Sequence, residues 1–329
     1  MTAKYPKSVA LIGCGLWGRN IARVLAQLGA LKLICDANTA GVSPLAAELD
    51  AEFTTDIDVA LTTPGIDAVA IATPAATHAE VALRALRAGK DVYVEKPIAL
   101  SMKNAREVAT LAAAHGRVLM IGHLLQYHPG FMKLLELVRK GALGKITYVY
   151  SNRLNQGRVR TEENALWSLA PHDFSMVLSL VGEAPNAVTA SGPAIVHLGV
   201  PDLATVHMAF PTGAKAHIFC SWLNPYKEHK LTVIGDQAMA IFDDTPKDWP
   251  DKTLKLCAHK VVHKNGIPEF VKGTEELVPF ESLEPLKNEL GHFLECVASG
   301  AKPRTGADEA IPVLEALERA QHAMETSLT

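Results

Sequence analysis

Directly after a short apolar run, Ser8–Gly13, the chain reads Gly13-Cys14-Gly15-Leu16-Trp17-Gly18 and passes into a helical pattern. Each glycine of this G-x-G-x-x-G spacing has a physical task. Gly13 makes the tight turn, Gly15 lets backbone approach a pyrophosphate, and Gly18 lets helix and strand pack closely. The loop residues Leu16 and Trp17 lead to a helix N-terminus, whose N–H groups and partial positive charge suit phosphate oxygens. A second apolar run ends at Asp36, about 20 residues further on, where a carboxylate would accept hydrogen bonds from the adenosine ribose. It would also repel a 2′-phosphate, so the spacing predicts NAD rather than NADP. A tight glycine turn with no ligand would give the same six letters; the strand before, the helix after and the acid beyond favour a dinucleotide.

Two further residues could handle a proton. Lys96, in Glu95-Lys96-Pro97, follows an apolar strand at its carboxyl end, the edge where open α/β sheets place ligands. An ammonium there can polarise a substrate oxygen or lose its proton through desolvation. His172, in Leu169-Ala170-Pro171-His172-Asp173, precedes an apolar helical run through Val181. An imidazole titrating near pH 6.5 can accept a hydroxyl proton as a hydride leaves. The bland readings are a loop lysine and a packed histidine at a helix start, with Asp173 as an early helix acid. The stretch from Asn152 to Ser168 adds Arg153, Asn155, Arg158, Arg160 and Trp167. Guanidinium forks bind phosphate bidentately and amides suit sugar hydroxyls; a solvated loop or a subunit interface would use the same residues.

The elements that must position these groups fall into two patterns. Strands at Ser8–Gly13, Leu31–Asp36, Ala68–Ile71, Asp91–Glu95 and Val118–Gly122 alternate with helices, among them His78–Ala88 and Ser101–His115. Short strands apolar on both faces suit a parallel sheet covered on each side, so residues 1–123 are expected to form a doubly wound α/β (Rossmann) domain. Residues 124–329 lose that alternation. After a helix from Pro129 to Gly141 they read as strands at Lys145–Asn152, Asn186–His197, Ala204–Phe210, Ala214–Ser221, Lys230–Gly235, Met239–Asp243 and Leu254–His263. With closing helices at Pro285–Ser299 and about Asp308–Glu325, this predicts an α+β domain built on a large, mostly antiparallel sheet. The Pro-rich run Asp243–Lys252 reads as a surface loop.

The order Thr73-Pro74, His78, Ala88-Gly89-Lys90 and Glu95-Lys96-Pro97 after the fingerprint resembles the Gfo/Idh/MocA family, and the likeness extends over essentially the whole chain. It implies a pyridine-nucleotide oxidoreductase acting on a sugar or polyol hydroxyl, with Lys96 and His172 at the hydride-transfer site. Thr73, Pro74, His78, Glu95 and Lys96 would then join the cofactor residues. Many members carry an aspartate four residues before the histidine, whereas Ser168 stands here. The 152–168 stretch, with Gly122-His123 and Tyr127-His128-Pro129, is similar to the surface-polysaccharide branch, which oxidises the 3-hydroxyl of a UDP-linked N-acetylhexosamine or its uronate. That likeness adds His123 and Tyr127 to Lys96, His172, Trp167, Asn155 and the three arginines as candidate sugar contacts. Two other readings stay open: a dehydrogenase of a free sugar or polyol such as inositol, and a non-catalytic NAD or sugar sensor.

Composition bounds the rest. With 329 residues, 48% hydrophobic and 20% charged, the chain can bury two cores and is no disordered segment. A formal charge of -3 without a basic run argues against nucleic acid, and no apolar stretch is long enough to span a membrane. The five cysteines are scattered and odd in number, which predicts neither a disulfide framework nor a metal site and suits the cytoplasm. An extended antiparallel sheet needs its free face covered, so a homodimer or homotetramer through that sheet is expected.

Overall fold

Four consecutive buried residues, Val9–Ile12, make β1 in the computed structural model, which describes residues 8–157, 159–161 and 163–327. Helix α1 (Gly18–Gln27) buries Ile21, Ala22, Val24 and Leu25 at helical spacing. There follow β2 (Leu31–Cys35), α2 (Thr39–Glu48), β3 (Glu52–Thr54), α3 (Ile57–Thr62), β4 (Ala68–Ile71), α4 (His78–Arg87), β5 (Asp91–Glu95), α5 (Met102–Ala114) and β6 (Leu119–Gly122). All pair in parallel, in the order β3-β2-β1-β4-β5-β6. The strand order reverses between β1 and β4, and the carboxyl ends flanking such a reversal form the crevice where open α/β sheets bind ligands. The doubly wound expectation holds. The sequence reading passed over α2, α3 and β3, because Gly41, Ser43 and Pro44 blur the period of α2 and β3 is only three residues long.

In the second pattern α6 (Pro129–Arg139) precedes β7 (Ile146–Gln156), α7 (Ala165–Leu169) and α8 (Pro171–Val181). Then come β8 (Ala187–Ser191), β9 (Leu203–Ala209), β10 (Lys215–Ser221), β11 (Leu223–Gly235), β12 (Met239–Asp243), β13 (Thr253–Cys257), β14 (Lys260–Lys264), β15 (Ile267–Val271) and β16 (Glu275–Leu277). Eight strands form one sheet, ordered β16-β13-β12-β11-β7-β10-β9-β8, in which only β7 and β10 run parallel. The expected mostly antiparallel sheet is present, and Pro211-Thr212-Gly213 makes the β9–β10 hairpin with Gly213 at φ 90°. The strand expected over Asn186–His197 stops at Ser191, and the one expected over Leu254–His263 divides into β13 and β14.

The compact units are residues 8–127 with Glu284–Ile311, and His128–Leu283 with residues 312–327. This differs from a single boundary after residue 123. Helix α9 (Pro285–Ser299) carries Leu286, Leu290, Phe293 and Leu294 on one stripe, and that stripe is buried with Ile21, Val24, Leu25, Tyr93 and Met120 of the first unit. Burial of a stripe, rather than position in the chain, assigns the helix. The last helix, α10 (Ala307–Ser327), contains the division at Ile311.

Candidate functional site

The glycine turn after β1 is shaped by two different constraints. Gly13 has φ 90°, and a Cβ there would lie 2.6 Å from Thr73 N and 2.7 Å from the Ala72 carbonyl, at the end of β4. Gly18 likewise presses its backbone onto the Gly13 carbonyl. Gly15 is the opposite case: a Cβ there would meet nothing within 4 Å. The middle glycine therefore keeps space open in front of the loop, which fits a pyrophosphate. Among the described residues no side chain caps the N-terminus of α1 at Trp17; Arg19 N and Asn20 N bond back to the Gly15 and Trp17 carbonyls, so an anion would meet the N–H groups of the loop before them. Asp36 follows β2; its Oδ2 accepts from Cys14 N at 2.6 Å and its Oδ1 from Asn38 N at 2.7 Å. A carboxylate offers about four lone-pair sites, so two remain for ribose hydroxyls.

At the neighbouring strand ends the side chains hold one another. Buried His78 places Nε2 2.8 Å from the Thr73 carbonyl and Nδ1 2.7 Å from the Pro97 carbonyl, pinning the turn after β4 to the one after β5. Both ring nitrogens, expected near the cofactor, are engaged by backbone, so His78 holds these two turns together. Thr73 and Pro74 lie in the turn that it pins. Glu95 accepts from the Trp17 indole at 2.6 Å and the Tyr93 hydroxyl at 2.9 Å, and its second oxygen faces Lys96 N at 3.3 Å. Burial raises its carboxyl, against Trp17, Tyr93, Lys96 and His78, which favour the charged form. Lys96 is half-buried at the end of β5 and is joined to Pro97 by a cis peptide.

His123 and Tyr127 turn inward. His123 Nδ1 is 2.6 Å from Glu309, and the Tyr127 hydroxyl, 2% exposed, lies 2.9 Å from His292 Nδ1 and 3.3 Å from Thr305 Oγ1. Both side chains, expected as sugar contacts, are taken up by a buried polar cluster of the first unit.

In the second unit α8 opens with Pro171 at its first turn, and half-buried His172 follows. Asp173, 0% exposed, is held from β7 by Ser151 Oγ at 2.5 Å and by Arg153 through Nε at 2.5 Å and Nη2 at 3.1 Å. This corrects the expectation for Arg153, whose fork is occupied by a buried carboxylate rather than by a phosphate. It also shows that β7 holds the acid adjacent to His172. Asn155 accepts from His229 Nε2 at 3.1 Å. Burial, with Arg153 and Lys227 adding to it, pushes the His229 ring down to about 3. The Trp167 indole donates to Gln321 at 3.1 Å, and Arg160 pairs with Glu163 on the surface. Arg158 lies outside the described residues. The run Asp243–Lys252 is less of a loop than expected: Asp244 pairs with Lys252 and lies 3.4 Å from His128 Nε2, and Trp249 stacks on His128 at 5.0 Å.

Sequence reasoning missed Tyr93 and Glu289. The signal was there for the second, since Glu289 interrupts the apolar stripe Leu286, Leu290, Phe293. A charged residue on a core-facing stripe is seldom buried without a partner.

Residues 7–123 match the family described as "Oxidoreductase family, NAD-binding Rossmann fold", and residues 131–241 match "GFO/IDH/MocA C-terminal domain". A UDP-N-acetylglucosamine 3-dehydrogenase from Acidithiobacillus ferrooxidans is 28% identical over 290 residues, 88% of each chain. Its solved structure has a TM-score of 0.86 at 27% identity, covering 98% of both chains. The scyllo-inositol 2-dehydrogenase (NAD(+)) of Bacillus subtilis is 26% identical, over 89% of this chain and 87% of its own. A 2,7-anhydro-N-acetylneuraminate hydratase of Mediterraneibacter gnavus is 25% identical over 71% of this chain, which spans about two thirds (66%) of that relative's length.

Proposed function

The chain belongs to the GFO/IDH/MocA family of NAD-binding oxidoreductases, and from that premise we propose that it oxidises the 3-hydroxyl of UDP-N-acetylglucosamine or its uronate to a 3-keto sugar. One observation carries the choice of substrate. The similarity to the Acidithiobacillus 3-dehydrogenase, at a TM-score of 0.86 and 27% identity, covers 98% of each chain. NAD, when bound, supplies the hydride acceptor. Gly13, Gly15, Gly18 and the α1 N-terminus would hold its phosphates, and Asp36 its ribose.

This chain's own residues would do the remaining work. One of Lys96 and His172 takes the hydroxyl proton, and the other stabilises the oxygen as it becomes a carbonyl. Such proton transfer contributes roughly 10²–10⁴-fold. Holding the reacting carbons about 3–3.5 Å apart supplies a further large share of the rate. The Arg153–Asp173 clasp keeps the start of α8, and so His172, in one orientation.

The test is appearance of NADH absorbance with UDP-N-acetylglucosamine, its uronate, myo-inositol and scyllo-inositol, each with and without free UDP. Turnover of a UDP-sugar inhibited by UDP supports the proposal. Turnover of an inositol unaffected by UDP supports the polyol reading, which the Bacillus relative favours. NAD binding without any turnover supports a sensor. Lys96→Ala should abolish turnover and leave NAD binding intact.

We propose further that the chain works in the cytoplasm, where its five buried thiols would stay reduced. We also propose that it assembles as a homodimer or homotetramer through the sheet face bearing Tyr148, Tyr150 and His217. Light scattering of the purified protein tests this.

A further inference from the structure

We propose that Glu289, on α9, is a positioning residue for the cofactor loop: as an un-ionised acid it donates to Tyr93, which donates to Glu95, which holds the Trp17 indole. The Tyr93 hydroxyl lies 2.9 Å from Glu95 Oε1 and 3.1 Å from Glu289 Oε2, wholly buried. A phenol has one proton to give. Both contacts are hydrogen bonds only if one of the two carboxyl groups carries a proton of its own.

The surroundings decide which. Glu95 receives the Trp17 indole and faces Lys96 N, and the Lys96 ammonium and the His78 ring both favour its charged form. Glu289 is 0% exposed, and its Oε1 has no hydrogen-bond partner among the described residues. Among the described residues the charged groups acting on it are acids, Glu95 from β5 and Glu309 from α10; beside them stand the phenols of Tyr93 and Tyr127 and, one turn along α9, the His292 ring that bonds Tyr127. Burial and these acids push its carboxyl well up. The proton belongs on Glu289, and the chain of donors runs from α9 outward to the glycine loop.

The fold makes room for this chain. A Cβ on Gly122 would sit 2.7 Å from the Tyr93 hydroxyl and 3.0 Å from the Glu95 carboxyl carbon, so β6 ends in a glycine where the two side chains meet. At the far end, Trp17 belongs to the turn whose backbone faces the phosphates, and Glu95 precedes Lys96. Glu289 touches neither cofactor nor substrate. Its effect reaches them through Tyr93 and Glu95.

The inference rests on the NAD site and not on the choice of sugar, so the test is NAD binding without any sugar, read by calorimetry across pH. Glu289→Gln keeps a donor toward Tyr93 at every pH; Glu289→Leu removes it. At neutral pH the Gln variant should bind within about twofold of wild type, and the Leu variant about tenfold more weakly. As pH rises and Glu289 loses its proton, wild-type affinity should fall while the Gln variant stays level. Infrared difference spectra should show the carbonyl stretch of an un-ionised carboxyl group in wild type that Glu289→Gln lacks. Equal weakening by Gln and Leu, unchanged binding by Leu, or no such band would overturn the proposal. Should Glu289→Leu fail to fold, the band and the pH profile of Glu289→Gln decide alone.

Discussion

Arg153 grips Asp173 with two parallel hydrogen bonds, 2.5 and 3.1 Å long, one residue away from His172. The pair ties β7 to the first turn of α8 and is almost fully buried, with Arg153 7% and Asp173 0% exposed. Removing one partner of a buried pair leaves the other charge uncompensated, at a cost of about 3–5 kcal/mol. Arg153→Met should lower stability by that amount in urea unfolding, and should lower kcat more than it changes NAD affinity. Arg153→Met with Asp173→Leu should recover much of the stability and none of the kcat, because the fork that orients α8 is still gone. Recovery of kcat in the double variant would show that the pair does not position His172.

Two glycines of one loop should respond differently to the same added methyl group. Gly13 has φ 90° and its Cβ would collide with Thr73 N, so Gly13→Ala disturbs the fold. The backbone conformation alone should cost about 1–3 kcal/mol. Gly15 has open space before it. Gly15→Ala should therefore leave the unfolding midpoint in place while weakening NAD binding about tenfold or more, since the methyl occupies the room for the pyrophosphate. Thermal unfolding and NAD titration on both variants separate the cases, and a midpoint loss in Gly15→Ala would show that its space is structural.

The contrast between these residues also explains what could be read without coordinates. The turn at Gly13, Gly15 and Gly18 and the placement of Asp36 against it were legible because they depend on local spacing along strand, turn and helix. Arg153, Trp167, His123 and Tyr127 were legible as chemistry but not as partners. A guanidinium that can bind phosphate binds a carboxylate equally well, and the choice was made by Asp173, 20 residues away. His123 was claimed by Glu309, 186 residues away, and Tyr127 by His292, 165 residues away. No period or motif encodes such pairings. The placement of α9 with the first unit was hidden for the same reason, although its apolar stripe was plain.

Asp36 is expected to set the coenzyme preference while also bracing the loop. Its two oxygens accept Cys14 N and Asn38 N, so Asp36→Ala removes both a ribose acceptor and a loop brace. NAD affinity should fall about tenfold or more, whereas NADP, relieved of a repelling carboxylate, should lose less. The ratio of the two dissociation constants is the measurement. An unchanged ratio would assign the preference to another group.

The second unit should weaken in acid earlier than its carboxylates alone would dictate. Burial, reinforced by Arg153 and Lys227, pushes His229 down to about 3 in the folded chain, against about 6.5 when unfolded. Between those values the unfolded chain binds a proton that the folded chain refuses. Stability from this residue is therefore complete above about pH 6.5 and is lost as pH falls toward 3. Asp244 acts lower. Burial raises it, but the bond from Lys252 and the nearby His128 ring outweigh burial and hold it below the usual carboxylate range, so its contribution is lost only below about pH 4. His229→Gln keeps a donor for Asn155 without a titrating ring. Its melting temperature should stay level from about pH 6.5 to 4.5 while that of the wild type declines, and both should fall together below about pH 4. Parallel curves over the upper window would mean that His229 accepts its proton in the folded state.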